Sequence, residues 1–243
     1  MRFLVLACDY DGTLATNGQV NNETLVALER LLESGRKLIL VTGRQLDDLH
    51  KVFPHLNLFE WVVAENGALL YKPATQEEKP LGEPPPQEFI KALQEQGVDS
   101  LGVGRVIVAT WHPHEKTVLE VIRKLGLEHQ VILNKDAVMV LPPGVDKASG
   151  LNAALSKMRL SPHNTVGIGD AENDQALLGL CGCGVAVANA LPVLKERTDF
   201  VTKGDRGAGV VEVIDKLIAS DLEELDSLRK QHCISLGKLE NGE

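Results

Sequence analysis

The stretch FLVLACDYDGT, residues 3–13, joins an unbroken apolar run to two closely spaced carboxylates. A run of this length that is rich in Leu and Val predicts a strand covered on both faces. Charge is costly to bury, so Asp9 and Asp11 at the end of such a strand are placed to meet a ligand. In strand geometry the two side chains share one side, and Gly12 lets the chain turn away. From this stretch alone, a nucleophile, an acid/base group, a Mg²⁺ ligand and a plain Asp/Gly turn are all open.

The composition is that of a globular protein with an acidic charge balance. The 243 residues are 44% hydrophobic and 24% charged, which suits one large domain or two small ones. A net charge of −9 argues against nucleic acid or an anionic membrane as the main partner. No apolar run is long enough to span a membrane. The four cysteines show no metal-site partners, and the apolar run at residues 3–8 is too short for a signal peptide, so we expect a reduced, cytoplasmic protein.

The first 65 residues alternate between strand and helix patterns. Short apolar runs predict strands at 2–8, 37–41 and 61–64, and helical spacing of leucines predicts helices between them at 22–34 and 44–53. Such alternation predicts an α/β fold, with a doubly wound parallel sheet and helices on both faces. The same alternation resumes at Lys147 and continues to residue 219.

The pattern between these two halves is different. Residues 73–86 contain five prolines and read as irregular surface chain, and a hairpin is predicted from strands at 130–134 and 137–141. We therefore predict a discontinuous core domain at 1–69 and 146–220 and a smaller α+β domain at 70–145. The polar residues 221–243 are predicted to form a tail.

Four polar clusters follow predicted strands or begin a helix beside them. They are Asp9 with Asp11, Thr42-Gly43-Arg44, Lys147, and Gly169-Asp170-Ala171-Glu172-Asn173-Asp174. Open α/β sheets bind ligands at the carboxyl ends of their strands. Phosphoryl transfer requires this combination, because a hydroxyl and an ammonium hold the phosphoryl oxygens while carboxylates hold Mg²⁺.

These clusters, in this order, resemble the motifs of the haloacid dehalogenase (HAD) superfamily of phosphohydrolases over residues 1–219. Asp9-Tyr10-Asp11-Gly12-Thr13 is similar to the nucleophile motif, and Val41-Thr42-Gly43-Arg44 to the phosphate-binding motif. Lys147 and the 169–174 cluster resemble the remaining two. Because the extra domain lies between the second and third motifs, the match is to the Cof-like members, whose cap domain is inserted there.

The resemblance implies a role for each main residue. Asp9 would be the nucleophile, and Asp11 the general acid and then the general base. Asp9, the backbone carbonyl of Asp11, and Asp170 would hold Mg²⁺. Thr42 and Lys147 would bind the phosphoryl oxygens.

Further residues receive weaker assignments from the same resemblance. Asn173 would contact the phosphate, and Asp174 would assist Lys147 or the metal. Gly43, Arg44 and Asn66 are candidate substrate contacts, although Arg44 and Asn66 have local alternatives as an ion pair and a turn residue.

The implied function is a Mg²⁺-dependent phosphatase acting on a small phosphorylated metabolite, such as a sugar phosphate, through an aspartyl-phosphate intermediate. A phosphomutase of the same superfamily and a non-catalytic phosphate-sensing module are the alternatives.

Overall fold

The structure, a computed structural model, describes residues 1–223. Its larger sheet has eight strands in the order β12-β11-β10-β1-β2-β3-β4-β5. The strands are β1 (Val5–Asp9), β2 (Lys37–Val41), β3 (Trp61–Ala64), β4 (Leu69–Lys72), β5 (Glu77–Pro80), β10 (Thr165–Gly169), β11 (Cys183–Ala186) and β12 (Phe200–Val201). The six strands from β12 to β3 pair in parallel, and β4 and β5 extend the sheet antiparallel. The predicted α/β fold is thus confirmed.

The central position of β1 explains its apolar sequence. It pairs with β2 on one side and β10 on the other, and all five of its residues are buried. Around the sheet lie α1 (Asn22–Glu33), α2 (Leu46–Val52), α5 (Lys147–Met158), α6 (Gln175–Leu180), α7 (Pro192–Lys195) and α8 (Arg206–Ser220). Helices α1 and α8 pack against each other, as do α5 and α6.

A second sheet of four antiparallel strands forms the centre of the inserted region. This cap sheet has the order β6-β7-β9-β8, from β6 (Gly102–Val103), β7 (Val108–Trp111), β8 (Gln130–Asn134) and β9 (Ala137–Leu141). The predicted hairpin is confirmed, since β8 pairs with β9 around residues 135–136. One face packs on α3 (Gln87–Glu95) and α4 (Glu115–Lys124), with Phe89 and Val118 in a common core.

The prediction of irregular chain at 73–86 was wrong in part. Residues 77–80 form β5, an edge strand of the larger sheet whose four residues are all exposed. An exposed edge strand has no buried face and hence no apolar alternation, and Pro80 is tolerated at an edge. Strands β4 and β5 thus belong to the larger sheet. The start of the smaller domain at residue 70 stays a prediction.

The end of the described chain is packed on the core. Leu222 is 2% exposed, and Asp221 accepts hydrogen bonds from Arg36 and from the backbone of Arg2 and Phe3. The rest of the predicted tail, residues 224–243, lies outside the described residues. Within residues 1–223, none of the helices has the length and apolar character needed to cross a membrane.

Candidate active site

Three parallel strands end side by side and place the predicted residues together. Asp9 ends β1, Thr42 follows β2, and Asp170 follows β10. Strands β2 and β10 are the two direct neighbours of β1. Lys147 opens α5, whose start is fixed by a capping box between Asp146 and Ser149. The carboxyl edge of the larger sheet therefore holds the predicted clusters, as expected for an open α/β sheet.

An acidic cluster lies at this edge. Asp9, Asp170 and Asp174 each offer a carboxylate oxygen, and these atoms lie within 4.8 Å of one another. All three residues are buried, with exposed fractions of 4%, 3% and 0%. Thr13 Oγ1 donates to Asp170 Oδ1 at 3.0 Å and so orients that carboxylate.

Lys147 supplies the buried positive charge of the cluster. Its Nζ lies 2.6 Å from Asp9 Oδ1 and 2.6 Å from Asp174 Oδ1, and the residue is 1% exposed. The other oxygen of Asp174 accepts the backbone N–H groups of Asp170 and Ala171. Asp174 therefore joins Lys147 to the turn after β10.

The electrostatics of the cluster leave an excess of negative charge. Burial, and then the neighbouring carboxylate of Asp174, raise the pKa of Asp9 well above its ordinary value. Burial alone would lower the pKa of Lys147, but Asp174 and Asp9 outweigh it and raise the pKa. Three buried carboxylates facing one buried ammonium form an oxygen donor set that suits a divalent cation, so the residues present fit the metal implied by the sequence.

Asp11 has a different environment from Asp9, although only one residue separates them. Its carboxylate accepts hydrogen bonds from Arg44 Nε at 2.6 Å and Arg44 Nη2 at 2.7 Å. The Asp11 side chain is 42% exposed and lies outside the group of three clustered carboxylates. Arg44, a predicted substrate contact, therefore pairs with Asp11, and these hydrogen bonds raise its own pKa.

Thr42, Asn66 and Asn173 lie beside one another. Thr42 Oγ1 accepts the backbone N–H of Arg44 at 3.1 Å, which is the turn-capping role open to a threonine there. Asn173 Nδ2 donates to Asn66 Oδ1 at 2.9 Å, and an added Cβ on Gly43 would lie 4.0 Å from both side chains. Asn66 Nδ2 and Asn173 Oδ1 are buried without a partner among the described residues, so each retains capacity for a ligand.

A cavity of about 370 Å³ lies next to the two asparagines. It is lined by residues of the sheet edge and by Ile132 of the cap sheet: Asn66, Ile132, Asp146, Glu172, Asn173, Gln175 and Ala176. The face of the cap sheet opposite α3 and α4 covers this region, since Met139 Sδ lies 3.6 Å from the position of a Cβ on Gly43.

Two site residues were missed at the sequence level. Lys135, in the turn between β8 and β9, places Nζ 3.1 Å from Asp170 Oδ2. Asn189 Nδ2 donates to the carbonyl of Gly12, and Asn189 Oδ1 accepts from Arg206 N. The run Ala186-Val187-Ala188-Asn189-Ala190 resembles a C-terminal pattern of the HAD superfamily and could have indicated Asn189, whereas a lysine in a hairpin turn gives no such signal.

Comparisons with known proteins show which family this chain is similar to. A family model described as haloacid dehalogenase-like hydrolase matches residues 6–116 and 120–214. Phosphoglycolate phosphatase 2 of Saccharolobus solfataricus is 31% identical over 232 residues, which covers 92% of this chain and 96% of that protein. A phosphoglycolate phosphatase of Haloarcula marismortui is 31% identical over 220 residues, covering 86% and 95%.

Solved structures share the fold at lower identity. A haloacid dehalogenase-like hydrolase from Bacteroides thetaiotaomicron superposes with a TM-score of 0.75 at 18% identity, covering 88% of this chain and 99% of that one. A sugar phosphatase of HAD subclass IIB gives a TM-score of 0.70 at 20% identity, covering 88% and 98%. The family model and the two phosphatase relatives confirm the predictions of an HAD-type protein and of a phosphoric monoester hydrolase. With a family model over most of its length and relatives that span it nearly end to end, the chain belongs to the haloacid dehalogenase-like hydrolases.

Proposed function

We propose that this protein is a Mg²⁺-dependent phosphatase that hydrolyses a phosphomonoester of a small metabolite through an aspartyl-phosphate on Asp9. The observation that carries the proposal is the position of Asp9, which contacts the Lys147 ammonium and lies within 4.8 Å of two further buried carboxylates. A carboxylate so placed is oriented by Lys147 and can share a cation with Asp170.

Each step of the proposed reaction has a residue for it. An oxygen of Asp9 attacks phosphorus, the ester P–O bond breaks, and the departing alkoxide takes a proton from Asp11. Asp11 then removes a proton from water, whose oxygen attacks phosphorus, and the bond to Asp9 breaks to release inorganic phosphate. The Asp11 side chain is 42% exposed and so is open to water, which the second step requires.

The surrounding groups hold the phosphoryl oxygens and the metal. Lys147 and Thr42 are proposed to bind phosphoryl oxygens. Asn173 is a further proposed phosphate contact, and its Oδ1, like Asn66 Nδ2, is buried without a partner among the described residues. Asp9, the backbone carbonyl of Asp11, and Asp170 are the proposed Mg²⁺ ligands, with Asp174 holding Lys147. Bound Mg²⁺ supplies charge neutralisation for the phosphoryl group.

The relatives, rather than the fold, support our choice of substrate class. Two proteins that are 31% identical over most of this chain are phosphoglycolate phosphatases, so 2-phosphoglycolate is the first substrate to test. Sugar phosphates are the second class, on the weaker support of the shared fold.

Phosphate release from 2-phosphoglycolate and from a panel of sugar phosphates tests the proposal, with Mg²⁺ or with EDTA. We expect release that needs Mg²⁺ and is abolished in Asp9→Asn, while Asp215→Asn, an exposed Asp that pairs with Arg30, keeps full activity. Isomerised sugar phosphate without free phosphate would indicate the mutase. Binding of phosphate esters with no turnover of any of them would indicate the sensing module.

A further inference from the structure

The turn between β8 and β9 places a lysine of the cap sheet against the acidic cluster. Lys135 Nζ lies 3.1 Å from Asp170 Oδ2, although the Lys135 side chain is 53% exposed and that of Asp170 only 4%. Strand β8 also contacts the 172–174 turn, which follows Asp170. An ammonium from the inserted region thus reaches a carboxylate at the edge of the larger sheet.

The backbone of this lysine is in an unusual conformation. Lys135 has φ +54°, in the left-handed region where tight turns normally carry Gly or Asn. For other residues this conformation costs about 1–2 kcal/mol, and such strain concentrates at functional sites. A lysine is therefore conformationally disfavoured at this turn.

Lys135 differs from Lys147 in a way that separates their roles. Lys147 is 1% exposed and fixed by two carboxylates, which suits a permanent contact to the phosphoryl group. Lys135 is half exposed and approaches from the cap sheet, the part of the molecule that covers the site. A long, flexible ammonium at that position can turn from Asp170 to a negative group on the substrate.

The neighbouring cavity offers no competing positive charge. Its lining includes the carboxylates of Asp146 and Glu172 and contains no Lys or Arg. This lining would disfavour a negatively charged leaving group, and the other cation near the cluster at its exposed side, Arg44, is already paired with Asp11.

We infer that Lys135 is a specificity-determining residue that binds a carboxylate on the leaving group, so that the enzyme prefers small phosphorylated acids to phosphate esters of neutral alcohols and sugars. The inference rests on the phosphatase activity proposed above and narrows its substrate class.

A matched pair of substrates tests it. Ethyl phosphate has the two-carbon leaving group of 2-phosphoglycolate without the carboxylate. In Lys135→Met we expect kcat/KM for 2-phosphoglycolate to fall by about 10- to 100-fold, the loss of one charge-assisted contact, with little change for ethyl phosphate. Lys135→Arg should keep most of the preference for 2-phosphoglycolate over ethyl phosphate. The control Lys124→Met, which removes an exposed lysine of α4, should keep all of that preference.

Other results would overturn the inference. Equal losses on both esters in Lys135→Met would place Lys135 on the phosphoryl group or the metal, and no loss on either would remove it from recognition. Hydrolysis of neither ester by the wild type would refute the phosphatase activity for these substrates. Binding measured by calorimetry then tests the inference separately. The Asp9→Asn protein must bind 2-phosphoglycolate more tightly than ethyl phosphate, and the double variant with Lys135→Met must bind the two esters equally.

Discussion

The carboxylate of Asp11 is held by the guanidinium of Arg44 through two hydrogen bonds, 2.6 and 2.7 Å long. Asp9, two residues before it in the chain, is instead buried against Lys147. Two identical side chains at the end of one strand thus meet opposite conditions. Asp9 is fixed inside an acidic cluster, whereas the Asp11 side chain lies at its margin and is 42% exposed to solvent.

This division predicts that Asp11→Asn separates catalysis from metal binding. Loss of a general acid/base lowers kcat by about 10²- to 10⁴-fold. Because the Asp11 side chain lies outside the cluster of three carboxylates, the rise in Tm on adding Mg²⁺ should persist. Phosphate release and thermal unfolding with and without Mg²⁺ measure both quantities, with Asp48→Asn as the control for an exposed carboxylate. A lost Mg²⁺ response in Asp11→Asn would contradict the division.

The residues of the acidic cluster and Lys147 were accessible from the sequence for a physical reason. In a doubly wound fold the carboxyl ends of neighbouring parallel strands meet at one edge, so finding the strands locates Asp9, Thr42 and Asp170. The strands themselves are identifiable because burial on both faces requires unbroken apolar runs. Helix α5 begins at Lys147 as predicted, since Asp146 is a strong N-cap.

Features that depend on contacts between the inserted region and the larger sheet were not accessible. Lys135 reaches Asp170 only through the packing of the cap sheet, which no local pattern encodes. Strand β5 is exposed along its length and so lacks the alternation that identifies strands. The contact of Glu65 with three backbone N–H groups 40 to 42 residues later is equally invisible in the sequence.

Removal of the buried ammonium should destabilise the metal-free protein strongly. Lys147→Met leaves Asp9 and Asp174 buried without their counter-charge, and breaking a buried ion pair in this way costs about 3–5 kcal/mol. Lys157→Met removes an exposed lysine from the same helix and should change the free energy of unfolding by no more than about 0.5 kcal/mol. Urea unfolding in EDTA compares the two, and equal stabilities would refute the structural role of the buried pair.

Gly12 is predicted to be irreplaceable because it lies so close to the carboxylate of Asp170. It has φ +87°, and an added Cβ would lie 2.4 Å from Asp170 Oδ2. Gly35 has a similar φ of +83° with nothing within 4 Å of the added atom. Both Gly→Ala variants should lose about 1–2 kcal/mol through backbone strain.

Only Gly12→Ala should also displace the Asp170 carboxylate. We therefore expect Gly12→Ala to lose the Mg²⁺-dependent rise in Tm and most of the phosphatase activity, while Gly35→Ala keeps both. A full Mg²⁺ response in Gly12→Ala would contradict displacement of the Asp170 carboxylate from a metal site.

Glu65 is predicted to fix the segment before β7 to the end of β3. Its wholly buried carboxylate accepts the N–H groups of Arg105, Val106 and Ile107 at 2.8 to 3.0 Å. Glu65→Gln replaces one acceptor oxygen with a donor, and an unsatisfied buried donor costs about 1–3 kcal/mol.

Hydrogen exchange at residues 105–107 should therefore accelerate in Glu65→Gln, together with a lower free energy of unfolding. Glu60→Gln is the control, since the Glu60 carboxylate is 36% exposed and pairs only at the surface with Lys37 and Lys72. Unchanged exchange at 105–107 would mean that Glu65 does not hold this segment.

Asp221 should make stability depend on pH in the acid range. Burial alone would raise its pKa, but hydrogen bonds from Arg2 N, the Arg36 side chain and Phe3 N outweigh burial and lower it. A carboxylate whose pKa is lower in the folded protein than in the unfolded chain stabilises the fold at pH values above its unfolded pKa of about 3.9. This contribution is lost as the pH falls through the pKa of the folded state. Asp221→Asn should therefore be less stable than wild type by about 1–2 kcal/mol at pH 7, with the gap closing below about pH 4. Urea unfolding across that range measures the gap, and a gap that stayed constant or widened in acid would rule out this ion pair as its source.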